Sequence, residues 1–358
     1  MEFSPKMIRR MALIASDCGL IDLHRFVRSR RTRNQLRILL YHQISPDLVP
    51  WARPYQISPT LFEWQLKFLK SRFRILDLEE AVLHLNDCRP LPANSVVITI
   101  DDGFKDNYLY AFPLLKKYGI PATIFLATEP IERGELLWFD ELAYRLWHAR
   151  SGKLEIGGLG SICLYNSGPA REVEISRCID AMIGYSPQAR EPILREVQRR
   201  TGINIPSDLP RRWMLNWNEI REMRRYGIRF GSHTLDHTAL SAVQGDGLVS
   251  EIRDSKLTIE ARLQEDIRLF SYPNGRFDSG LFETLKANGY FAAMTSFPKF
   301  ASLESSPWAL GRILPGWGSK SFQFFLSGLF SDVYSSYKFF TRPLGGRFLV
   351  PKQEWETT

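Results

Sequence analysis

Three times along this chain a helical stretch runs to a glycine and then into a short apolar run. Residues 113–118 lead through Gly119 to 122–127. Residues 216–226, with Asn216 as cap and Glu219 three positions on, lead through Gly227 to 228–233, and 281–288 lead through Gly289 to 290–295. A glycine just past a helix suits the left-handed closing position, and strands joined through helices run parallel. Residues 37–42, 96–100 and 268–271 read as further buried strands, and 58–69 as a helix opened by Ser58-Pro59. The alternation restricts the chain to an α/β barrel or a doubly wound sheet, folds that gather functional groups at the carboxyl ends of their strands.

Four strand ends carry chemistry. Asp101-Asp102-Gly103 follows 96–100, His233-Thr-Leu-Asp-His237 closes 228–233, Tyr272-Pro273-Asn274-Gly275 follows 268–271, and His42 closes 37–42. Two histidines four apart with one carboxylate make a three-ligand site for a divalent metal, with a position left for water or substrate. A metal on Asp102, His233 and His237 would relieve the doubled negative charge, leaving Asp101 ionised as a general base. Neighbouring strand residues face opposite sides, so both carboxylates serve one site only if the strand breaks, and Gly103 permits the break. Each motif alone has a bland reading as a turn or a solvated loop. Their joint placement at strand ends favours a site.

Composition sets limits. No stretch approaches the roughly 18 apolar residues of a spanning helix, and the apolar run after Arg9-Arg10 is too short for a secretory signal. The expected location is cytoplasmic or peripheral on a membrane. Four scattered cysteines support neither a disulfide framework nor a cysteine zinc site. Arg25, Arg28, Arg30, Arg31, Arg33 and Arg37 fall in thirteen residues without an acid, within a net charge of +8. Such a run suits an anionic membrane surface or is a solvated helix face. No nucleic-acid motif accompanies it. The expected organisation is a basic amphipathic arm (1–36), a catalytic domain (37–318) interrupted at 129–215, and a helical C-terminal extension (319–358). Within 129–215 the patterns at 136–150 and 191–200 are helical, 156–161 is glycine-rich, and Trp138, Phe139, Tyr144 and Trp147 recur at helical spacing, which fits a buried face better than a row stacking on sugars. Apolar residues at helical spacing over 322–340 predict a helix docked on the domain, with a membrane-surface role as the lesser alternative.

Three motifs in this order resemble the polysaccharide deacetylase family, the NodB-homology group of carbohydrate esterases: Thr99-Ile-Asp-Asp-Gly103, His233-Thr-Leu-Asp-His237 and Phe270-Ser-Tyr-Pro-Asn-Gly275. Leu39-Leu-Tyr-His-Gln-Ile44 resembles one branch of it, and the likeness runs from about Ile38 to Arg312. The resemblance implies a distorted (β/α) barrel of seven or so strands and metal-dependent removal of N-acetyl groups from a glycan or glycan precursor. Metal-bound water would attack, with Asp101 as base and Asp102, His233 and His237 as ligands of a metal, zinc first among the candidates. The backbone N–H of Asn274 would hold the oxyanion, and Tyr272, Pro273 and Asn274 would line the substrate. Two departures stand out. The family's third-motif arginine falls at Ser271, with Arg312 as the proposed substitute. The family's late histidine has no counterpart, and His42 either replaces it as general acid or is structural. The expected substrate is an N-acetylated poly- or oligosaccharide, lipid-linked or nascent. An O-acetyl esterase on the same scaffold, or a non-catalytic glycan-binding or assembly protein retaining the metal, are the other readings.

Overall fold

The computed structural model describes residues 5–21, 23–24, 34–47, 49 and 56–340. Six strands form its parallel sheet: β1 (Gln35–Tyr41), β2 (Ser95–Ile100), β3 (Ala122–Leu126), β4 (Ile228–Ser232), β5 (Leu269–Ser271) and β6 (Ala292–Met294). They lie in the order β6-β5-β4-β3-β2-β1, each parallel to its neighbours. Arg74–Ile75 adds a short parallel pairing to the start of β2, and Ala301–Ser302 pairs antiparallel with the start of β1. Every residue of β2 and β3 is buried, as expected for strands covered on both faces.

The sheet curls, and residues 310–313 join its two ends. Leu310 N–H donates to Ala293 O (3.0 Å) and Leu310 O accepts from Thr295 N–H (2.9 Å). On the other side Ile313 N–H donates to Ile38 O (2.8 Å) and Ile313 O accepts from Leu40 N–H (2.9 Å). The result is a distorted barrel. Glycine is required at 311, because a Cβ there would lie 2.6 and 2.7 Å from the carbonyl oxygens of Lys299 and Phe297.

Strand alternation divides the core. Leu36, Ile38, Val97, Phe125, Leu269, Met294 and Leu310 form one cluster, while Leu39, Tyr41, Ile98, Ile100, Ile124 and Phe270 pack into a larger one with the helices. By the two-residue period, Thr99 and Asp101 continue the face of Val97, Ser271 that of Leu269, and Arg312 that of Leu310. Polar side chains from two strand ends and the closing segment are thereby stacked above an apolar plug. The connecting helices start and stop as read. Ser58 Oγ caps Pro59–Arg72, Asn216 and Glu219 form a reciprocal cap on Trp217–Arg225, and Gly119, Gly227 and Gly289 have φ of 61°, 88° and 80°.

One stretch that carried no expectation takes shape here, and one expectation needs correcting. The glycine-rich 156–161 stretch is the turn of an antiparallel hairpin, Gly152–Ile156 with Gly160–Leu164, and a helix not foreseen, Pro169–Met182, follows it. The helices expected at 136–150 and 191–200 are Trp138–His148 and Pro187–Thr201. Trp138 and Phe139 are buried and Tyr144 and Trp147 half-buried, so that row is a packed face. Secondly, the single helix expected over 322–340 is broken at Gly328 (φ 82°) into Ser319–Ser327 and Leu329–Phe340. Phe324, Phe325 and Phe330 from this pair pack against Ile8, Ala12, Ala15 and Ile21 of the N-terminal segment, whose helix spans Pro5–Asp17. Arginines 25–33 of the basic run lie outside the described residues. Among those described, no helix is long and apolar enough to cross a membrane.

Candidate metal centre and its neighbours

At the end of β2 the chain turns inside out. Asp102 has φ of 80° and Gly103 of 84°, so the break begins one residue before the glycine. A non-glycine residue there is strained, and such strain gathers at functional sites. The turn brings both carboxylates into one buried pocket: Asp101 is 2% and Asp102 4% exposed. Leu215 N–H, donating to Gly103 O (3.0 Å), holds the exit of the turn.

The two neighbours have opposite surroundings. Asp101 is gripped by Arg312 in a fork: Nη1 donates to Oδ1 and Nη2 to Oδ2, each at 2.7 Å. Ser271 Oγ donates to Oδ2 (3.1 Å) and receives a bond from Arg312 Nη2 (2.9 Å). Arg312 is itself fixed by Nε to Thr295 O (3.1 Å) and Nη1 to Thr99 Oγ1 (3.3 Å), and is 1% exposed. Burial alone would raise the Asp101 pKa, but the charges of Arg312 and His233 outweigh it and hold the carboxyl below its usual range.

Asp102 faces the histidines. His237 Nε2 is 3.2 Å and His233 Nε2 3.4 Å from Asp102 Oδ1, an oxygen that finds no hydrogen bond of good geometry. One ligand atom from each of the three residues lies within 4.8 Å of the others, and all three residues are buried. Four ligands at about 2.0–2.1 Å around a tetrahedral ion are spaced about 3.3 Å apart, close to what is seen here. His233 Nδ1 lies 2.7 Å from Ser271 O. A carbonyl only accepts, so Nδ1 carries the proton and the Nε2 lone pair faces the pocket. The set fits a divalent cation. Burial pushes Asp102 up and His233 down, yet the carboxylate–imidazole pairing reverses both, leaving Asp102 well below and His233 above their ordinary values. The pocket demands positive charge.

His42, just past β1, adjoins this group. It is half-buried, and its carbonyl accepts from Asn107 Nδ2 (2.8 Å). Burial lowers its pKa against the opposing pull of Asp102 and Asp101. It opens on a recess lined by Ile57, Leu314, Pro315 and Trp317. Asn274 (φ 57°) sits in the turn after β5. Tyr272 and Pro273 are buried, and the Tyr272 hydroxyl donates to Trp308 O (3.0 Å). The sequence reading missed Ser271 as a partner of Asp101, although its position, where the family has an arginine, was a signal. It also missed the residues that hold the histidine loop, for which no motif speaks.

A family model described as polysaccharide deacetylase matches residues 89–293. The chain belongs to the polysaccharide deacetylase family. The matched stretch includes both aspartates, both histidines and Asn274, but neither His42 nor Arg312. Members are hydrolases of carbon–nitrogen, non-peptide bonds, and metal-dependent. YxkH of Bacillus subtilis (strain 168), named for the same family, is 24% identical over 298 residues, covering 82% of this chain and 77% of that protein. A poly-β-1,6-N-acetyl-D-glucosamine N-deacetylase of Staphylococcus aureus (strain MSSA476) is 43% identical over 75 residues, 21% of this chain and 26% of that protein. Two solved structures share the fold at 20% identity. PplD of Streptococcus pyogenes, in complex with acetate, has a TM-score of 0.55 over 79% of this chain and 93% of its own. IcaB from Ammonifex degensii has a TM-score of 0.54 over 82% and 96%.

Proposed function

We propose that this polysaccharide deacetylase removes N-acetyl groups from a glycan or glycan precursor, with Asp102, His233 and His237 as ligands of a divalent metal and Asp101 as general base. The observation that carries the reading is the division between the adjacent aspartates: one is clamped by Arg312, and the other is grouped with two imidazoles in a set that could hold a metal ion. Zinc suits a two-histidine, one-carboxylate set, and cobalt, manganese or iron also accept it. Such an ion supplies Lewis acidity towards the acetamide carbonyl and acidifies water.

The chain's own groups do the rest. Asp101, kept ionised by Arg312, takes the proton of the attacking water. The fork and Ser271 together fill Oδ2, while Oδ1 accepts one bond and keeps a lone pair for that proton. Arg312 thus does for Asp101 what the family's third-motif arginine does, reaching it from the segment that closes the barrel. The Asn274 N–H is the donor for the developing oxyanion, while Tyr272 and Pro273 shape that turn. When the C–N bond breaks the amine needs a proton, and His42 is the candidate donor.

An N-acetylated poly- or oligosaccharide is the substrate class, in line with the names of the relatives. A lipid-linked or nascent polymer at an anionic membrane is the finer reading, supported by the basic run and by the exposed Leu13, Ile14, Leu20 and Leu23. The test is acetate release from N-acetylated oligosaccharides and lipid-linked sugars, with metal content measured on the same sample. Release that requires metal supports the reading. Release from esters but not amides points to an O-acetyl esterase, and no release with metal bound to a non-catalytic glycan protein.

A further inference from the structure

His237 is held at φ 49°, a left-handed conformation disfavoured for a residue with a Cβ, and its surroundings constrain it. The constraint comes from residues lying between β3 and β4. Trp138 Nε1 donates to His237 O (3.4 Å), and the Phe139 ring meets the imidazole edge-on, 5.0 Å between centroids. Arg190, on Pro187–Thr201 and 1% exposed, ties down both neighbours of His237. Its Nη2 donates to Asp236 Oδ2 (2.8 Å) and Thr238 Oγ1 (3.0 Å). The same guanidinium lies 4.7 Å from the centre of the Trp138 ring. From the other side Glu251 Oε2 accepts Leu235 N–H (2.9 Å).

Arg190 is poorly satisfied for a buried cation: Nε and Nη1 have no hydrogen-bond partner among the described residues. Stability alone is badly served by a buried guanidinium with unmet donors. Its contacts converge on the loop carrying a metal ligand. We propose that Arg190 is a positioning residue that, with Trp138, holds His237 in its ligating conformation, so that segment 129–215 forms part of the metal centre. This rests on the metal reading above.

Groups that orient a ligand typically alter metal affinity or activity 10- to 100-fold when removed. The test is calorimetric titration of the metal-stripped full chain with zinc, alongside kcat and KM for acetate release and the melting temperature. Arg190→Met should weaken zinc binding roughly 10- to 100-fold and lower kcat, with KM changed less than about twofold. Arg190→Lys, a point charge without the fork, should recover part of both. Arg171→Met is the control: Arg171 is equally buried but donates to Leu146, Ala149 and Tyr165 carbonyls within the same segment. It should lower the melting temperature and leave zinc affinity unchanged. Should Arg190→Met fail to fold, Thr238→Val decides, since with little change of volume it removes an acceptor of Arg190 along with the hydroxyl's bond to Glu251, and a several-fold loss of affinity is expected. Wild-type affinity in the folded Arg190→Met or in Thr238→Val overturns the proposal, as does equal loss in Arg171→Met. A wild-type protein that takes up no zinc, cobalt, manganese or iron overturns the metal reading itself, a distinct result.

Discussion

Asp101 and Asp102 are consecutive residues with the same side chain, buried in the same pocket, and the structure treats them as opposites. Asp101 has its charge met from within the protein by the Arg312 fork and Ser271. Asp102 has an oxygen with no satisfactory donor, set between two imidazole nitrogens. A doubled aspartate at a strand end is therefore two devices: a carboxylate compensated so that it stays ionised, and one left needing a cation. The left-handed turn at Asp102 lets one short stretch of chain build both.

The contrast can be broken from either side, and the largest effect belongs to the Asp102 side. Removing metal with a chelator, or replacing His233 with Ala, should abolish acetate release to below about a thousandth of the original rate. Zinc should restore the first and not the second. Residual activity of a tenth or more in thoroughly stripped enzyme would argue for a mechanism without metal.

Arg312 tests the other side. Arg312→Ala should lower kcat about 100-fold with little change in KM, because it leaves the base misplaced and uncompensated. The sign of the pH effect follows from the balance of forces. The Asp101 pKa is held down in the wild type, so activity persists until pH falls through that depressed value. Without the guanidinium, burial dominates and raises the pKa, moving the acid limb of kcat/KM to higher pH. Stability falls too, since an orphaned buried charge costs about 3–5 kcal/mol. An unchanged rate and pH profile would remove Arg312 from the mechanism.

His42→Gln is the smallest of the three changes, about tenfold in rate and confined to substrates whose leaving group needs a proton. Activated esters with good leaving groups should be spared. A wild-type profile on amides across pH would assign His42 a structural role.

How far the sequence disclosed this arrangement depended on distance along the chain. The three helix–glycine–strand units and both ligand motifs are local, each written within eighteen residues, and the fold honours them. The Arg312–Asp101 pair spans 211 positions. Only a residue missing at Ser271 and an arginine set among apolar neighbours pointed to it. That residues 310–313 close the barrel explains why the substitution works, because a side chain on the closing segment reaches the same interior as one on β5. Arg190 gave no such sign. It lies among other helical arginines with nothing in its spacing to set it apart, and only the packed structure brings it to His237. The hairpin at 152–164 escaped notice because its strands are short and largely exposed, so they lack the apolar alternation that marks a strand. The break at Gly328 was overridden by the continuous apolar pattern on either side of it.

The division between the two aspartates is tested most directly by replacing each with asparagine and measuring bound metal and acetate release on the same samples. The account predicts that Asp101→Asn keeps its metal, at about one ion per chain, and loses roughly 100- to 10,000-fold in rate, while Asp102→Asn loses both. Metal lost from Asp101→Asn and kept by Asp102→Asn, or full activity in Asp101→Asn, would contradict it.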